Sequence, residues 1–508
     1  MLIPLGFQTH EMRAEDTQAA APKPIETIKD IMACKSISLS ALSKDGHWFA
    51  YRLAPAEGDG EVIIRDLRSD KEYKFPAGEG RGGSILFNDS GKWAAFTAFP
   101  TAKEAKSLNK QKKRVYNSMA LVDLSNGEKT DFEKVRSFAF SGENPAWLAI
   151  HKYAPESQAK EKDKWDGSDL ILMKPGTDIQ FNIGNVSLFA FNKDGSWLAW
   201  AIDASGQSGN GVQARSMASG VIHSLDSGKA VYKRLTWTEK GEALAVLKGR
   251  EDEDFEDELY SLVGFTGFPS SNTVKTVYDP HKDKDFPDGL TISPNQNPQW
   301  TDSLDGIFFG IHEVKRKEKK EKKEPETKDK AEEEKTEEKA EKKTEKKAPP
   351  EKEVDKEDLP GLVIWHWKDK RLQAQQQVQA NRDKNFSYLC LYRTKEKKFL
   401  RLADDSLRNV QPVPMHRYAM GYDNSKYELM GNLEGRRYQD IYVIDLKTGE
   451  RTLALEKARW VFTPSPDGTH FFYYTDGHIF TYDMASDKAF NLPKMSPHPL
   501  STLRMITM

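Results

Sequence analysis

A short polar turn followed at once by an aromatic and aliphatic run recurs along the chain, and this repeat constrains the fold more than any other feature. In each clear copy the turn ends in Gly, which supplies the positive φ that a tight turn between antiparallel strands requires. The clear copies are Ser43-Lys-Asp-Gly46, Asn88-Asp-Ser-Gly91, Asn192-Lys-Asp-Gly195, Thr238-Glu-Lys-Gly241 and Ser465-Pro-Asp-Gly468, with weaker copies near residues 141–145, 302–306 and 423–425. The repeat predicts a series of β-hairpins.

The spacing of the turns indicates how the hairpins are assembled. Successive turn glycines from Gly46 to Gly241 lie 45, 51, 53 and 46 positions apart, close to the repeat of a four-stranded propeller blade. One such sheet cannot bury both of its apolar faces, whereas radially stacked sheets cover each other. The eight turns therefore predict an all-β fold, a seven- or eight-bladed β-propeller. The residues expected to pack between blades include Trp48, Trp93, Trp197 and Trp237.

A tract of nearly pure Lys and Glu interrupts the repeats. Residues 315–358 hold 17 basic and 17 acidic side chains, with almost nothing apolar to offset the entropy of ordering. We expect a disordered insertion, with a free-standing helix held by Glu and Lys pairs as the alternative. The predicted organisation is an N-terminal tail at 1–24, blades at 25–314, the insertion at 315–358, further blades at 359–494 and an aberrant tail at 495–508.

Composition excludes several classes of protein. The formal net charge is only -2, which gives no basic excess for nucleic acid or an anionic membrane. No apolar run reaches the length of a membrane span, and two cysteines are too few for a disulfide framework. Residues 1–24 are either a frayed tail or the remnant of an export signal. The sequence leaves both readings open, and with them the compartment and the oligomeric state.

The motifs of common catalytic sites are missing from the sequence. There is no Gly-x-Ser-x-Gly elbow, no phosphate-binding Gly-x-x-x-x-Gly-Lys-Ser/Thr loop and no His-Glu-x-x-His zinc helix. The nearest string to the elbow is Gly206-Gln-Ser-Gly-Asn210, in which Asn replaces the second Gly. We therefore predict no catalytic residue, no cofactor and no metal ion.

An acidic cluster at residues 251–258, Glu-Asp-Glu-Asp-Phe-Glu-Asp-Glu, falls between two predicted strands. Its first interpretation is a solvated hairpin tip. The alternative is a loop at the mouth of a funnel, where carboxylates pair with the protonated N-terminus of a peptide. In that case Glu256 and Glu258 are the candidate substrate-binding residues.

The blade turns and one further segment together resemble a known protein family. The blade turns, together with residues 362–369, Leu-Val-Ile-Trp-His-Trp-Lys-Asp, and the Gln-rich stretch at 373–379 that follows them, resemble the propeller half of bacterial prolyl oligopeptidase family serine peptidases. The likeness is to the dipeptidyl or acylaminoacyl peptidase branch and covers about residues 25 to 492. The Trp-His-Trp segment is the more specific part, because TolB-type and WD-repeat proteins have similar turns.

The resemblance implies a propeller that caps an α/β-hydrolase domain and restricts access to small peptides. The catalytic Ser, Asp and His of that family have no positions to map onto here, so we expect no proteolysis by this chain. When residues 498–507 are back-translated and read in another frame, the codons can encode a string that resembles the segment leading into the hydrolase domain of that family. This resemblance suggests a frameshifted or truncated gene. The expected partners are a peptide substrate or the missing hydrolase domain, and the family likeness favours a periplasmic or secreted location, with the cytoplasm as the alternative.

A second function remains open on the same observations. A stand-alone propeller of the TolB-like or WD-repeat-like kind would bind a protein or peptide across its central channel. The two hypotheses differ in the surface they require, because a gate separated from its hydrolase exposes a broad apolar face and an independent binder does not.

Overall fold

A computed structural model describes residues 28–143, 146–155, 165–268, 273–317, 366 and 369–492. The described residues are almost entirely β-strand. The helices are α1 (Ile28–Ala33), α2 (Ala102–Lys110), α3 (Gln373–Lys384) and α4 (Glu428–Glu434). The described residues divide into two compact units, of which the first takes its residues from the ranges 28–140, 146–153 and 171–181 and the second takes the remaining described residues.

The first unit contains two antiparallel sheets of four strands in sequence order, followed by a strand pair. The first sheet is β1 (Lys35–Leu42), β2 (Trp48–Pro55), β3 (Gly60–Asp66) and β4 (Glu72–Gly78). The second is β5 (Ile85–Phe87), β6 (Trp93–Ala98), β7 (Ser118–Asp123) and β8 (Lys129–Phe132). The pair is β9 (Val135–Phe140) and β10 (Leu148–Lys152), while β11 (Ser168–Met173) and β12 (Gln180–Phe191) each contribute residues to both units.

The second unit continues the same plan. Strand β12 is followed by β13 (Trp197–Ile202), β14 (Gly211–Ser216) and β15 (Ile222–Ser227), and the next sheet is β16 (Val231–Trp237), β17 (Ala243–Arg250), β18 (Leu259–Thr266) and β19 (Val274–Tyr278). A five-stranded sheet comprises β20 (Leu290–Ile292), β21 (Gln299–Trp300), β22 (Gly306–Glu313), β23 (Tyr388–Arg393) and β24 (Lys398–Arg401). The last two sheets are β25 (Asn409–Pro412), β26 (Tyr418–Asp423), β27 (Gln439–Asp445) and β28 (Arg451–Ala458), then β29 (Trp460–Pro464), β30 (His470–Thr475), β31 (His478–Asp483) and β32 (Lys488–Asn491).

The predicted glycine turns form the first hairpin of their sheets. In all five clear copies the backbone N–H of the Gly donates to the carbonyl three residues earlier, at 2.9 to 3.0 Å, and the Gly has a φ of +65° to +73°. The first side chain of the turn also accepts a hydrogen bond from the N–H five residues later, as Asn192 does from Trp197 at 2.9 Å. Each turn is therefore stabilised by both its first and its fourth residue.

Aromatic residues pack between neighbouring sheets inside each unit. In the second unit, the indole N–H of Trp300 donates to the Leu244 carbonyl in the preceding sheet at 3.0 Å. In the first unit, Phe75 and Phe96 of successive sheets meet at 5.7 Å between ring centroids. Such face-to-face packing of four-stranded antiparallel sheets is the blade arrangement of a propeller, and the predicted all-β propeller fold class is confirmed.

The predicted packing role holds for all four tryptophans, since Trp93 packs against the buried cluster that β6 and β7 form with β9 and β10. Trp48 is buried and stacks on Tyr73 at 6.0 Å, and Trp197 and Trp237 both meet Phe268 edge-on, at 5.1 and 4.9 Å. Their rings fill the space between strands of adjacent sheets, where flat side chains bury a large apolar area.

The predicted domain boundaries stay predictions. The expected tail at 1–24, most of the expected insertion at 315–358 and the expected tail at 495–508 lie outside the described residues. Most of the Trp-His-Trp segment does so as well, since only its histidine, His366, is described.

Candidate functional site

The acidic cluster forms the connection between two long paired strands. Strands β17 and β18 pair along their whole length, from Ala243 opposite Thr266 to Arg250 opposite Leu259. Residues 251–258 therefore extend from the end of a rigid hairpin, which fixes where their carboxylates are presented.

The first residues of the Lys/Glu tract lie alongside this connection. The N–H of Glu256 donates to the carbonyl of Lys315 at 3.0 Å, and the N–H of Lys317 donates to the carbonyl of Asp254 at 2.9 Å. Between them Phe255 and Arg316 form an antiparallel bridge, with the guanidinium 5.7 Å from the ring centroid. These contacts hold the acidic connection as a short two-stranded extension.

A polar cavity of about 720 Å³ opens beside the acidic connection. Six acidic and three basic side chains line it, together with Gln207 and Phe255. The acidic ones are Glu251, Asp252, Glu253, Glu256, Asp257 and Glu258, and the basic ones are Lys229, Arg250 and Lys317. The excess of carboxylates makes the cavity suited to a cationic group.

The two candidate residues have different surroundings. Glu258 is half-buried, accepts a hydrogen bond from the Tyr260 hydroxyl at 3.0 Å and lies 3.5 Å from the Lys233 ammonium. Burial, together with the nearby charge of Glu258, raises the pKa of the Tyr260 hydroxyl, which therefore stays a proton donor. Glu256 is exposed, and its carboxylate makes no hydrogen bond or ion pair with any residue that the structure describes.

Both candidates line one cavity, but only Glu256 has a free carboxylate. The partners of Glu258, Lys233 and Tyr260, were missed by the sequence analysis. Lys233 lies on the neighbouring strand β16, 25 positions away, and no local pattern connects it to the acidic cluster.

Residues 206–210, the segment most similar to a nucleophile elbow, form a surface turn that is held by hydrogen bonds. It connects β13 and β14, and its Ser208 is exposed. Asn210 is buried, and its side-chain amide donates to the Asp203 carboxylate at 2.9 Å and to the Ala230 carbonyl at 2.8 Å. The Asn thus anchors the turn at the position where an elbow has its second Gly.

One serine, one histidine and one carboxylate do meet in the first unit. The Asp66 carboxylate lies 2.9 Å from Nε2 of His47 and accepts a hydrogen bond from the Ser69 hydroxyl at 2.6 Å. In a catalytic triad the imidazole stands between the serine and the acid and takes the serine proton. Here the carboxylate stands in the middle, so His47 does not activate Ser69.

The described residues contain neither a metal-binding cluster nor a membrane-spanning helix. No group of three or more His, Cys, Asp or Glu side chains there is arranged to hold a metal ion. No helix in the same part of the chain is long and apolar enough to cross a membrane.

Comparison with known proteins gives similarity of fold alone. No family model matches the sequence, and no curated protein matches it. Among solved structures, a eukaryotic initiation factor is 11% identical over 90% of this chain and 88% of its own, with a TM-score of 0.41. The propeller domain of the Trilobed protease from Pyrococcus furiosus is 10% identical over 83% of this chain and 96% of its own, with a TM-score of 0.32.

Peptidases longer than this chain's match are also among the similar structures. Acylaminoacyl peptidase from Pyrococcus horikoshii is 10% identical, with a TM-score of 0.31, and the match covers 88% of this chain and 57% of the peptidase. The present chain thus spans little more than half of that enzyme's length.

Proposed function

We propose that this chain is the propeller portion of a prolyl oligopeptidase family serine peptidase, and that it selects short peptides without cleaving them. The blade architecture and the likeness of residues 362–369 to that family support the assignment. The observation that carries the selecting role is the acidic cavity, in which the exposed Glu256 carboxylate has no partner among the described residues.

The cavity would select peptides through their N-terminal ammonium group. A free α-amino group has a pKa of about 8 and is charged at neutral pH. Glu256 is available to pair with it, and the carboxylates around it add to the attraction. Glu258, held by Tyr260 and Lys233, would shape the cavity and contribute a less available charge.

Two observations support the proposal that the chain does not cleave peptides. The sequence contains no elbow to present a serine. Where Ser69, Asp66 and His47 lie together, the carboxylate is between the serine and the histidine, so the imidazole does not activate the serine hydroxyl. This chain would therefore contribute recognition, and the chemistry would require groups from elsewhere.

Peptide binding with and without a free N-terminus tests the proposal. We expect a tripeptide with a free amine and a C-terminal fluorophore to bind roughly tenfold more tightly than its N-acetylated form, as removal of one charge-assisted contact implies. Glu256→Gln should remove most of that preference. Glu239→Gln is the matched control, because Glu239 is an exposed glutamate of the same unit, paired with Lys193 far from the cavity lining.

Equal binding of the two peptides would contradict the selecting role. Binding of a folded protein in the absence of any peptide binding would favour the alternative, a stand-alone propeller of the TolB-like or WD-repeat-like kind. Circular dichroism of each variant distinguishes loss of binding from loss of folding.

A further inference from the structure

A second, larger cavity lies elsewhere in the second unit. Its volume is about 1000 Å³, and its lining comes from helix α3 with the residues on either side of it, the segment after β24, and the end of β26 with the residues that follow. None of its lining residues belongs to the acidic cavity. It has no role in the function proposed above.

An arginine with unused hydrogen-bond donors lines this cavity. The Arg408 guanidinium stacks over the Phe386 ring at 4.3 Å and lies 5.9 Å from the Tyr388 ring. These two rings meet edge-to-face at 5.1 Å, and the Tyr388 hydroxyl is itself held by Asp405. The stack fixes the plane of the guanidinium, while its N–H groups donate to no residue in the described part of the chain.

None of the carboxylates that line this cavity forms an ion pair with Arg408, and two of them have other partners. Asp383 accepts a hydrogen bond from Arg371 at 2.8 Å, and Asp423 accepts one from the Ser425 backbone at 2.9 Å. A planar guanidinium with free N–H groups matches a carboxylate, with which it forms two parallel hydrogen bonds.

The remaining lining suits a peptide better than a phosphate. Five carboxylates line the cavity beside four basic groups, so a doubly charged phosphate meets about twice the repulsion that a singly charged carboxylate meets. The uncharged polar groups there can donate to and accept from peptide bonds, as the amides and hydroxyls of a ligand site do. They include Gln376, Gln379, Ser406, Asn409, Asn424 and Ser425.

We propose that this cavity binds the C-terminal carboxylate of a short peptide on Arg408, oriented by its stack on Phe386. The inference rests on the proposed function, and it names the substrate class more narrowly as short peptides with a free C-terminus. It is independent of the acidic cavity, because a different charge on a different part of the peptide is recognised.

Binding of unlabelled peptides by calorimetry tests this assignment. We expect a tripeptide with a free C-terminus to bind roughly tenfold to a hundredfold more tightly than its C-terminal amide. Arg408→Gln should abolish the difference, and Arg408→Lys should restore only part of it, because an ammonium lacks the planar fork. Phe386→Leu should weaken acid binding without changing amide binding.

Arg417→Gln is the matched control. Arg417 is also an exposed arginine stacked on a tyrosine, 5.2 Å over the Tyr418 ring, but it does not line the cavity. Its replacement should leave both affinities unchanged.

The remaining outcomes each overturn the assignment in a distinguishable way. If acid and amide bind equally and both depend on Glu256, the Arg408 site is wrong while the proposed function stands. If neither peptide binds, both proposals fail. If inorganic phosphate binds in an Arg408-dependent manner and the peptide acid does not, the site recognises phosphate and the peptide assignment is wrong.

Discussion

Asp226 is a buried carboxylate of the second unit with three hydrogen-bond donors around it. It is 3% exposed and accepts hydrogen bonds from Lys248 at 2.8 Å, Lys275 at 2.5 Å and Tyr232 at 2.8 Å. Burial acts to raise the pKa of Asp226, but the three hydrogen bonds together outweigh it and hold the pKa below the ordinary value of 3.8. Asp226 thereby connects β15 with strands β16, β17 and β19.

Replacing this carboxylate should destabilise the fold. Asp226→Asn leaves Lys248, itself largely buried, without its counter-charge, and we expect a loss of about 3 kcal/mol of unfolding free energy at pH 7. Urea denaturation followed by tryptophan fluorescence measures it. Glu239→Gln, in an exposed pair with Lys193, should change the unfolding free energy far less, because an exposed ion pair contributes little to stability.

The difference in stability between wild type and Asp226→Asn should depend on pH. Because the folded pKa of Asp226 lies below its unfolded value, its contribution is complete above the unfolded pKa and is lost as the pH falls through the folded one. The difference between wild type and Asp226→Asn should therefore shrink below about pH 4. A difference that stays constant down to pH 2 would show that Asp226 does not stabilise through its charge.

At the scale of the element, the turn glycines differ in what a side chain would meet. Gly468, in the turn before β30, has a φ of +65°, and a Cβ there would lie 1.9 Å from the Pro414 carbonyl oxygen of the preceding sheet. Gly477, between β30 and β31, has a φ of +81° with nothing within 4 Å. A comparison of the two positions therefore separates the energetic cost of backbone strain from the cost of steric overlap within one sheet.

Alanine at the two glycines should therefore have unequal effects. Gly477→Ala should cost about 1 kcal/mol, the strain of a left-handed backbone. Gly468→Ala should cost about 3 kcal/mol or more, because the sheets must also move apart. Thermal unfolding of both variants measures the difference, and equal melting temperatures would refute the packing of this turn against Pro414.

The sequence predicted the elements that carry a local signal. The five turns with a clear Gly all form, since each conformation is specified by a few adjacent residues. The turn before β26 has no Gly, and Met415 and His416 take positive φ there instead, so the sequence analysis missed it. In the weak copy at residues 302–306, the positive φ falls on Leu304 and not on Gly306, which begins β22.

The helices were not predicted, for a related physical reason. None of α2, α3 or α4 buries a residue, so none needs the apolar stripe of 3.6-residue period from which helices are recognised. The weak turn copy at residues 423–425 leads into α4 rather than into a strand. Short surface helices of this kind are determined by capping and by contacts distant in sequence.

At the scale of the whole molecule, the spacing of the repeats was enough to predict the architecture, because every blade buries the same kind of apolar face. Two sheets of the first unit and three of the second are the predicted meander of four antiparallel strands, whereas in the sheet of β20 to β24 both β20 and β21 pair with β22. The candidate site was predictable only in part. The acidic cluster is visible in the sequence, but its contacts with Lys315 and Lys233, and the entire Arg408 cavity, depend on residues brought together by folding.

Our central proposal is that this chain binds short peptides without cleaving them. Turnover of a fluorogenic dipeptide amide by the purified chain, at a concentration at which the peptide is bound, is its most direct measurement. We predict that the peptide is bound and released intact, at the rate of hydrolysis in buffer. Hydrolysis above that rate, abolished by a fluorophosphonate that modifies an activated serine, would contradict the account.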